Sequence, residues 1–183
     1  MKTMSNYAKI NKYDIANGPG VRVSVFFSGC EHYCKGCFNS EAWDFEYGER
    51  FTYETIDEII EAMKPSYIKG LTVLGGEPMH NNNAYALLKL CEAVKNKYPD
   101  KTIWVYTGYT YEELEEMNIF AHTILLNQFI DVLVDGRFIE DLKDITLRFK
   151  GSSNQRIIDI KATRATQSIT LWSDWQHDKK GII

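Results

Sequence analysis

The stretch VRVSVFFSGCEHYCKGCFN, residues 21–39, decides the fold of this chain, because a predicted strand runs directly into a cysteine-rich loop. Apolar residues alternate along positions 21–27, which is the period of a strand with one buried face. Three of the four cysteines of the chain follow, as Cys30, Cys34 and Cys37. The spacing C-x3-C-x2-C therefore places three thiols at the end of one strand.

Short apolar segments alternate with amphipathic segments along the rest of the chain. Strands are predicted over 21–27, 71–74, 102–106, 131–136 and 156–160, and helices over 52–64, 83–98 and 110–117. The stretch 121–129 is ambiguous, and little helical pattern follows residue 151. Alternating strands and helices favour βαβ units and a mainly parallel sheet.

The length of 183 residues limits the architecture. A closed eight-stranded β/α barrel usually takes about 250 residues, which is more than this chain has. We therefore predict an α/β fold that forms a partial, open β/α barrel with a mainly parallel sheet. One domain is expected over 1–183, with an N-terminal lead-in of 1–16 and a C-terminal tail of 161–183.

Unusual loops follow each of the first four predicted strands. The cysteine loop SGCEHYCKGC (28–37) follows the first strand, GGEP (75–78) the second, TGY (107–109) the third and DGR (135–137) the fourth. In parallel α/β folds, the loops at the carboxyl ends of the strands form the functional site. We therefore expect these four segments to meet on one rim of the sheet.

Composition and charge limit the classes of function. The net charge of −4 argues against general nucleic-acid binding, which usually needs a basic face. No stretch approaches the roughly 20 apolar residues of a membrane span, and the N-terminal residues lack the apolar segment of a secretory signal. We expect a cytoplasmic protein, in which a structural disulfide would be unusual.

The cysteine spacing alone leaves two kinds of metal site open. Structural zinc sites need four ligands, and no second cysteine pair follows, although His32 lies in the loop as a possible fourth ligand. Cys91 falls on the apolar side of a predicted helix, where an inert buried thiol is the usual interpretation. A [4Fe–4S] cluster on three thiolates would instead leave one iron open for a substrate or cofactor.

Four segments together resemble one family: NGPGVRVSVFFSGCEHYCKGCFN, GGEPM, DGRF and KGSSNQRIID. The chain resembles the radical S-adenosylmethionine superfamily and, within it, the branch that activates the anaerobic (class III) ribonucleotide reductase. The resemblance covers residues 17–160. Gly36 departs from the wider superfamily, where an aromatic residue usually precedes the third cysteine, but it matches this branch.

The resemblance implies both a reaction and its cofactors. A [4Fe–4S] cluster on Cys30, Cys34 and Cys37 would reductively cleave S-adenosylmethionine to a 5′-deoxyadenosyl radical, which removes hydrogen from a glycine of the reductase and leaves a glycyl radical there. No catalytic side chain is expected beyond the cluster and this cofactor. S-adenosylmethionine contacts are assigned to Gly75, Gly76, Glu77, Pro78, Thr107, Gly108, Asp135 and Asn39.

The same resemblance implies two protein partners. These are the large reductase subunit and an electron donor such as flavodoxin or ferredoxin, with neither nucleic acid nor membrane involved. Two alternatives stay open at this stage. One is an activase of another glycyl radical enzyme of the pyruvate formate-lyase type, and the other is a non-catalytic zinc or iron–sulfur module.

Some polar and aromatic residues receive no firm role from the sequence. Arg22 is expected to be solvent-exposed or to reach the rim. The roles of Arg137, the loop GSSNQR (151–156) and the pair Trp172 and Trp175 stay undecided. Surface or capping positions are expected for the histidines without ligand spacing, which are His80, His122 and His177.

Overall fold

A seven-stranded sheet organises the protein in a computed structural model that describes residues 4–173. Trp175 and His177 lie outside the described residues. The strands are β1 (Ser5–Asp14), β2 (Val21–Phe27), β3 (Glu49–Phe51), β4 (Ile68–Gly75), β5 (Thr102–Tyr106), β6 (Val132–Asp135) and β7 (Arg156–Asp159). Their order across the sheet is β3-β1-β2-β4-β5-β6-β7.

The centre of the sheet is parallel and its two edges are antiparallel. Strand β2 pairs with β4, β4 with β5 and β5 with β6, all in the parallel sense. The pairs β1–β2, β1–β3 and β6–β7 are antiparallel. Within residues 4–173 the edge strands β3 and β7 do not pair, so the sheet is open, as predicted.

The prediction of a mainly parallel sheet is therefore correct only for the four central strands. The prediction failed at the two edges of the sheet, because it was drawn from the alternation of strands and helices. Parallel neighbours need a crossover helix, whereas antiparallel neighbours do not. No α-helix separates β1 from β2, or β6 from β7. Strand β1 was not predicted, because residues 1–16 were interpreted as a lead-in. The three-residue strand β3 was not predicted either.

The helices follow the sequence pattern closely where an apolar stripe is present. They are α1 (Tyr53–Ala62), α2 (Asn81–Lys97), α3 (Tyr111–Glu116), α4 (Phe120–Ile124) and α5 (Ile160–Thr166). Thr110 and Glu113 form the predicted capping box of α3. The ambiguous stretch becomes α4 and one π-helical turn (Leu125–Phe129). Helix α5 was not predicted.

One face of the sheet packs against α1, α2 and the segment around α4 to form the main core. Alternate residues of the central strands point to this face and are fully or almost fully buried, among them Val23, Val25, Leu71, Val73, Ile103 and Leu133. Cys91 of α2 lies in this core and is fully buried, as expected for an inert thiol. No helix in the described part of the chain is long and apolar enough to cross a membrane.

Arg22 lies on the opposite face of the sheet, and the expectation that it would be exposed is wrong. The residue is only 1% exposed. Its guanidinium donates to Thr72 Oγ1 at 2.7 Å, to Thr102 Oγ1 at 3.0 Å and to the oxygen of Leu71 at 2.7 Å. Burial lowers the pKa of Arg22 to about 10. The position is tolerated because neutral acceptors bond four of the five guanidinium N–H groups, the fourth acceptor being the oxygen of Thr102.

Aromatic residues close the same face beside Arg22. The ring of Trp104 lies 5.6 Å from the Arg22 guanidinium carbon and packs edge-on against Phe149 and Trp172, with ring centroids at 5.6 and 5.0 Å. The main-chain nitrogen of Trp172 donates to Ile157 at 2.8 Å. Trp172 thus packs against the sheet rather than standing free.

Candidate metal centre and cofactor cleft

One cleft of about 140 Å³ collects the loops that follow the four central strands. The carboxyl ends of parallel strands lie at the same edge of a sheet, so their loops converge there. The lining comes from the cysteine loop, the GGEP loop, the TGY loop and the segment after β6, and it includes Cys30, Cys34, Cys37, Gly75, Gly76, Glu77, Thr107, Gly108, Gly136 and Phe138.

The cysteine loop is held by main-chain bonds to the short helical turn that follows it. Gly29 and Cys30 donate to the oxygens of Ala42 and Trp43 at 2.8 and 3.0 Å. Gly36 has a φ of +71°, which only glycine adopts readily, and it turns the chain between the second and third cysteines. This backbone lets the loop wrap closely between the two thiols.

All three loop cysteines are free thiols that line the cleft. Cys30 is 7% exposed, and burial raises its pKa to about 11. Burial is also the main cause that raises the pKa of Cys34. A metal or cluster would therefore have to displace thiol protons on binding. Within residues 4–173, no three His, Cys, Asp or Glu side chains converge as ligands of a single metal ion.

The GGEP loop packs against the start of the cysteine loop through its backbone. The main-chain nitrogens of Gly76 and Glu77 donate to the oxygens of Phe27 and Gly29, both at 2.7 Å. A Cβ on Gly76 would lie 2.5 Å from the oxygen of Gly29. Gly76 is therefore required for the close approach of the two loops.

The Glu77 carboxylate lies at the centre of the loops and is 1% exposed. Its Oε1 accepts from Thr107 Oγ1 at 2.8 Å and from the nitrogen of Met79 at 2.9 Å. Its Oε2 accepts from the nitrogen of Gly108 at 2.7 Å and lies 2.8 Å from His32 Nε2. All four partners belong to this chain, so the carboxylate is already saturated.

Thr107 and Gly108 were predicted as cofactor contacts, and both line the cleft. The Thr107 hydroxyl donates to Glu77 and accepts from the nitrogen of Tyr109 at 3.1 Å. A Cβ on Gly108 would lie 2.3 Å from the His32 ring. Both residues thus join the TGY loop to the other two loops.

The Asp135 carboxylate is buried and accepts hydrogen bonds from other residues of this chain. Its Oδ1 accepts from Arg156 Nε at 3.0 Å, and its Oδ2 accepts from Arg156 Nη2 at 2.5 Å and from the nitrogen of Tyr111 at 2.8 Å. Asp135 is 1% exposed, whereas its neighbour Arg137 is exposed. The guanidinium of Arg156 also bonds Glu112.

The loop GSSNQR supports the segment after β6. Gln155 Nε2 donates to the oxygen of Gly136 at 2.9 Å, and Asn154 Nδ2 donates to the oxygen of Arg137 at 2.8 Å. Gln155 also lines the cleft, a position that was not predicted from the sequence. This loop therefore shapes one wall of the site.

A buried amide that was not predicted from the sequence lies beneath the site. Asn83, 1% exposed in the first turn of α2, donates from Nδ2 to the oxygens of Ser28 and Glu77. His122 was expected at the surface or at a cap, but it is fully buried and its Nε2 lies 2.6 Å from the oxygen of Met79. His80 does cap α2, since its Nδ1 accepts from the nitrogen of Asn82.

Three buried polar atoms around the site have no hydrogen-bond partner among residues 4–173. They are Ser28 Oγ in the cysteine loop, Asn39 Nδ2 two residues after that loop, and Trp43 Nε1 in the cleft wall. Buried polar groups are normally satisfied, so orphan donors beside free thiols fit a site that binds a further group. Three thiols on one loop fit the thiolate ligands that iron–sulfur clusters use.

The amino-acid sequence of the chain is similar to those of known proteins. A family model described as a 4Fe-4S single cluster domain matches residues 16–158. The anaerobic ribonucleoside-triphosphate reductase-activating protein of Vibrio cholerae is 46% identical over 154 residues, covering 83% of this chain and 96% of the relative. Proteins of the same name from Enterobacteria phage T4 and Escherichia coli are 35% identical over 177 residues and 43% identical over 152 residues. The first alignment covers 94% of this chain and 99% of the phage protein, and the second 82% and 96%.

The fold, the three free thiols and the family model define an iron–sulfur protein with a single-cluster domain. The chain belongs to the family of anaerobic ribonucleoside-triphosphate reductase-activating proteins. The recognition made from the cysteine loop, GGEP and GSSNQR segments is thereby confirmed.

Proposed function

We propose that this chain activates an anaerobic ribonucleotide reductase by installing a glycyl radical on it, with a [4Fe–4S] cluster and S-adenosylmethionine as cofactors. The observation that carries the proposal is the convergence of three free thiols with the GGEP and TGY loops in one cleft. The names of the relatives supply the class of partner, and the family model supports the iron–sulfur cluster.

The cluster would be held by Cys30, Cys34 and Cys37. When bound, it supplies the electron that cleaves S-adenosylmethionine to the radical that removes hydrogen from the partner's glycine. The protein holds the three thiols on a loop fixed by main-chain bonds to Ala42 and Trp43. It also encloses them in a cleft, which limits the access of water to the reacting atoms.

The main chain of the GGEP segment is the proposed partner of the cofactor's amino group. Gly75 and Gly76 lack side chains that would cover their carbonyl oxygens, and such oxygens accept well from an ammonium. Pro78 would fix the turn that presents them. The unpaired Nδ2 of Asn39 offers a donor to the same cofactor.

Thr107, Gly108 and Asp135 stay in the proposal as residues that shape the cofactor's surroundings. Their observed hydrogen bonds run to Glu77, Arg156 and other groups of the chain. Such contacts order the cleft wall before any cofactor arrives, which lowers the entropic cost of binding.

The open sheet suits a partner that is itself a polypeptide. We propose that the chain is a partial barrel of the radical S-adenosylmethionine type, a single domain over 1–183, and that the reductase closes the open side during the reaction. A small electron-transfer protein such as flavodoxin or ferredoxin would reduce the cluster. No nucleic acid or membrane is needed for any of these steps.

Anaerobic reconstitution with iron and sulfide, followed by reduction with S-adenosylmethionine present, tests the proposal. We expect about one four-iron cluster per chain and formation of 5′-deoxyadenosine. Cys34→Ala is the matched loss-of-ligand variant, and Cys91→Ala is its control because Cys91 is buried in the core. A reconstituted chain that forms no 5′-deoxyadenosine would refute the proposal.

A further inference from the structure

We infer that Glu77 is a positioning residue whose buried carboxylate clamps the cysteine loop to the GGEP and TGY loops through His32. This inference deepens the proposed function and rests on it only in assigning a cluster to the cysteine loop. It changes the role of Glu77, which the sequence analysis assigned to direct contact with the cofactor.

The acceptor sites of the Glu77 carboxylate are all occupied by groups of this chain, which is the first support for the clamp. A carboxylate has about four lone-pair sites, and Glu77 accepts four hydrogen bonds from its own chain. Two come from the main-chain nitrogens of Met79 and Gly108, and one comes from the Thr107 hydroxyl. The fourth joins Oε2 to His32 Nε2 at 2.8 Å, with the His32 ring in the tautomer that carries its proton on Nε2.

His32 connects the cysteine loop to the Glu77 carboxylate. His32 lies between the first two cysteines, so its bond to Glu77 is the side-chain link from the cysteine loop to the carboxylate. Its side chain is 7% exposed. Its ring also packs against Tyr109 at a centroid distance of 4.6 Å and touches the position of Gly108. The ring is therefore fixed between two loops.

Hydrogen bonds to a charged group are stronger than those between neutral groups. The bonds of Glu77 join segments that are far apart in sequence, 45 residues from His32 and 30 residues from Thr107. The carboxylate therefore fixes the relative position of the thiols and the cofactor-facing main chain. Direct contact with the cofactor would then come from that main chain.

Glu77→Gln tests the clamp with little change of shape. In either orientation of the amide, its NH2 group faces a main-chain N–H, either that of Met79 or that of Gly108. We expect faster hydrogen exchange at one of these amides in the metal-free chain. In the reconstituted chain, we expect iron to be lost to a chelator about tenfold faster without S-adenosylmethionine present.

His32→Phe keeps a ring against Tyr109 and removes only the bond that reaches the cysteine loop. It should speed iron loss to a similar extent while leaving the Gly108 amide protected. Because both changes weaken one clamp, the iron loss of the double variant should be smaller than the sum of the two single effects. Additive losses would contradict a clamp that acts through His32.

Glu31→Gln is the matched control, since it removes a carboxylate from the same loop at a side chain that is 63% exposed and pairs with His80. It should retain iron like the wild type; equal losses in Glu31→Gln and Glu77→Gln would overturn the inference. A second result would also overturn the inference. If Glu77→Gln keeps its iron and its amide protection like the wild type but binds S-adenosylmethionine more weakly, Glu77 is a cofactor ligand and not a clamp.

Thr107→Val serves if Glu77→Gln does not fold, because it removes one arm of the clamp without changing charge. It should also speed iron loss, and wild-type retention in a folded Thr107→Val would count against the clamp. The amide-exchange measurement needs no cluster. A wild-type chain that takes up iron but makes no 5′-deoxyadenosine would therefore refute the proposed function while leaving the clamp testable.

Discussion

The Nδ2 atom of Asn83 lies 2.9 Å from the main-chain oxygen of Ser28, so the first turn of α2 holds the first residue of the cysteine loop. The same atom lies 2.9 Å from the oxygen of Glu77. The Oδ1 atom of Asn83 accepts from Ser5 in β1. One buried amide thus joins β1, the cysteine loop and the GGEP loop from below the cleft.

Asn83→Asp should destabilise the protein strongly. The new carboxylate would face the two carbonyl oxygens of Ser28 and Glu77 without a donor, and a buried polar group left unsatisfied costs about 1–3 kcal/mol, more when it is charged. Urea unfolding of the metal-free chain measures the loss. Asn82→Asp is the control, because Asn82 is exposed one residue away. Equal stability of the two variants would show that Asn83 does not join the loops.

Arg156→Met should cost about 3–5 kcal/mol of unfolding free energy, because it leaves the buried Asp135 carboxylate without its cation. Glu112 pairs with the same guanidinium from an exposed position, its side chain being 51% exposed. Glu112→Gln should therefore cost less than about 1 kcal/mol. Thermal or urea unfolding compares the two, and a larger effect of Glu112→Gln would contradict this assignment of the pair.

Cys91→Ala should retain the full complement of iron, whereas Cys34→Ala should lose the cluster. The physical reason is position: Cys91 is fully buried in the core between α2 and the sheet, and Cys34 lines the cleft. Iron and sulfide analysis after anaerobic reconstitution measures both. Loss of the cluster in Cys91→Ala would mean a site with four cysteine ligands and would contradict the open iron.

The buried thiol of Cys91 should also make the metal-free chain lose stability at alkaline pH. Burial raises the pKa of Cys91 above its ordinary value of about 9. A group whose pKa is raised in the folded state contributes full stability below its unfolded pKa and loses it as pH rises above that value. The unfolding free energy should therefore fall more steeply between about pH 8 and 10 in the wild type than in Cys91→Ala. Equal slopes in the wild type and Cys91→Ala would show that Cys91 has the same pKa in the folded and unfolded states.

The sequence predicted the elements whose side chains follow a simple period. Strand β2, helix α2 and the capping box at Thr110 each show apolar spacing or cap residues that depend on local contacts alone. The cysteine spacing and the GGEP motif were enough to predict that their loops would share one rim. These signals lie within single segments, so they can be recognised without the fold.

The rest depends on contacts between distant residues. Arg22 was expected to be exposed because its strand neighbours gave no sign of the threonines 50 and 80 residues away that accept its hydrogen bonds. Asn83 and the Glu77–His32 link were missed for the same reason. Strands β1 and β3 became part of the sheet by antiparallel pairing, which the alternation of strands and helices does not reveal.

The most direct test of the central claim is the electron paramagnetic resonance spectrum of the reductase after incubation with this chain. The chain is first reconstituted and reduced, and S-adenosylmethionine is then added with the anaerobic ribonucleotide reductase. We predict a glycyl radical signal that Cys34→Ala does not produce. A reductase that stays without the signal while the chain cleaves S-adenosylmethionine would contradict the account.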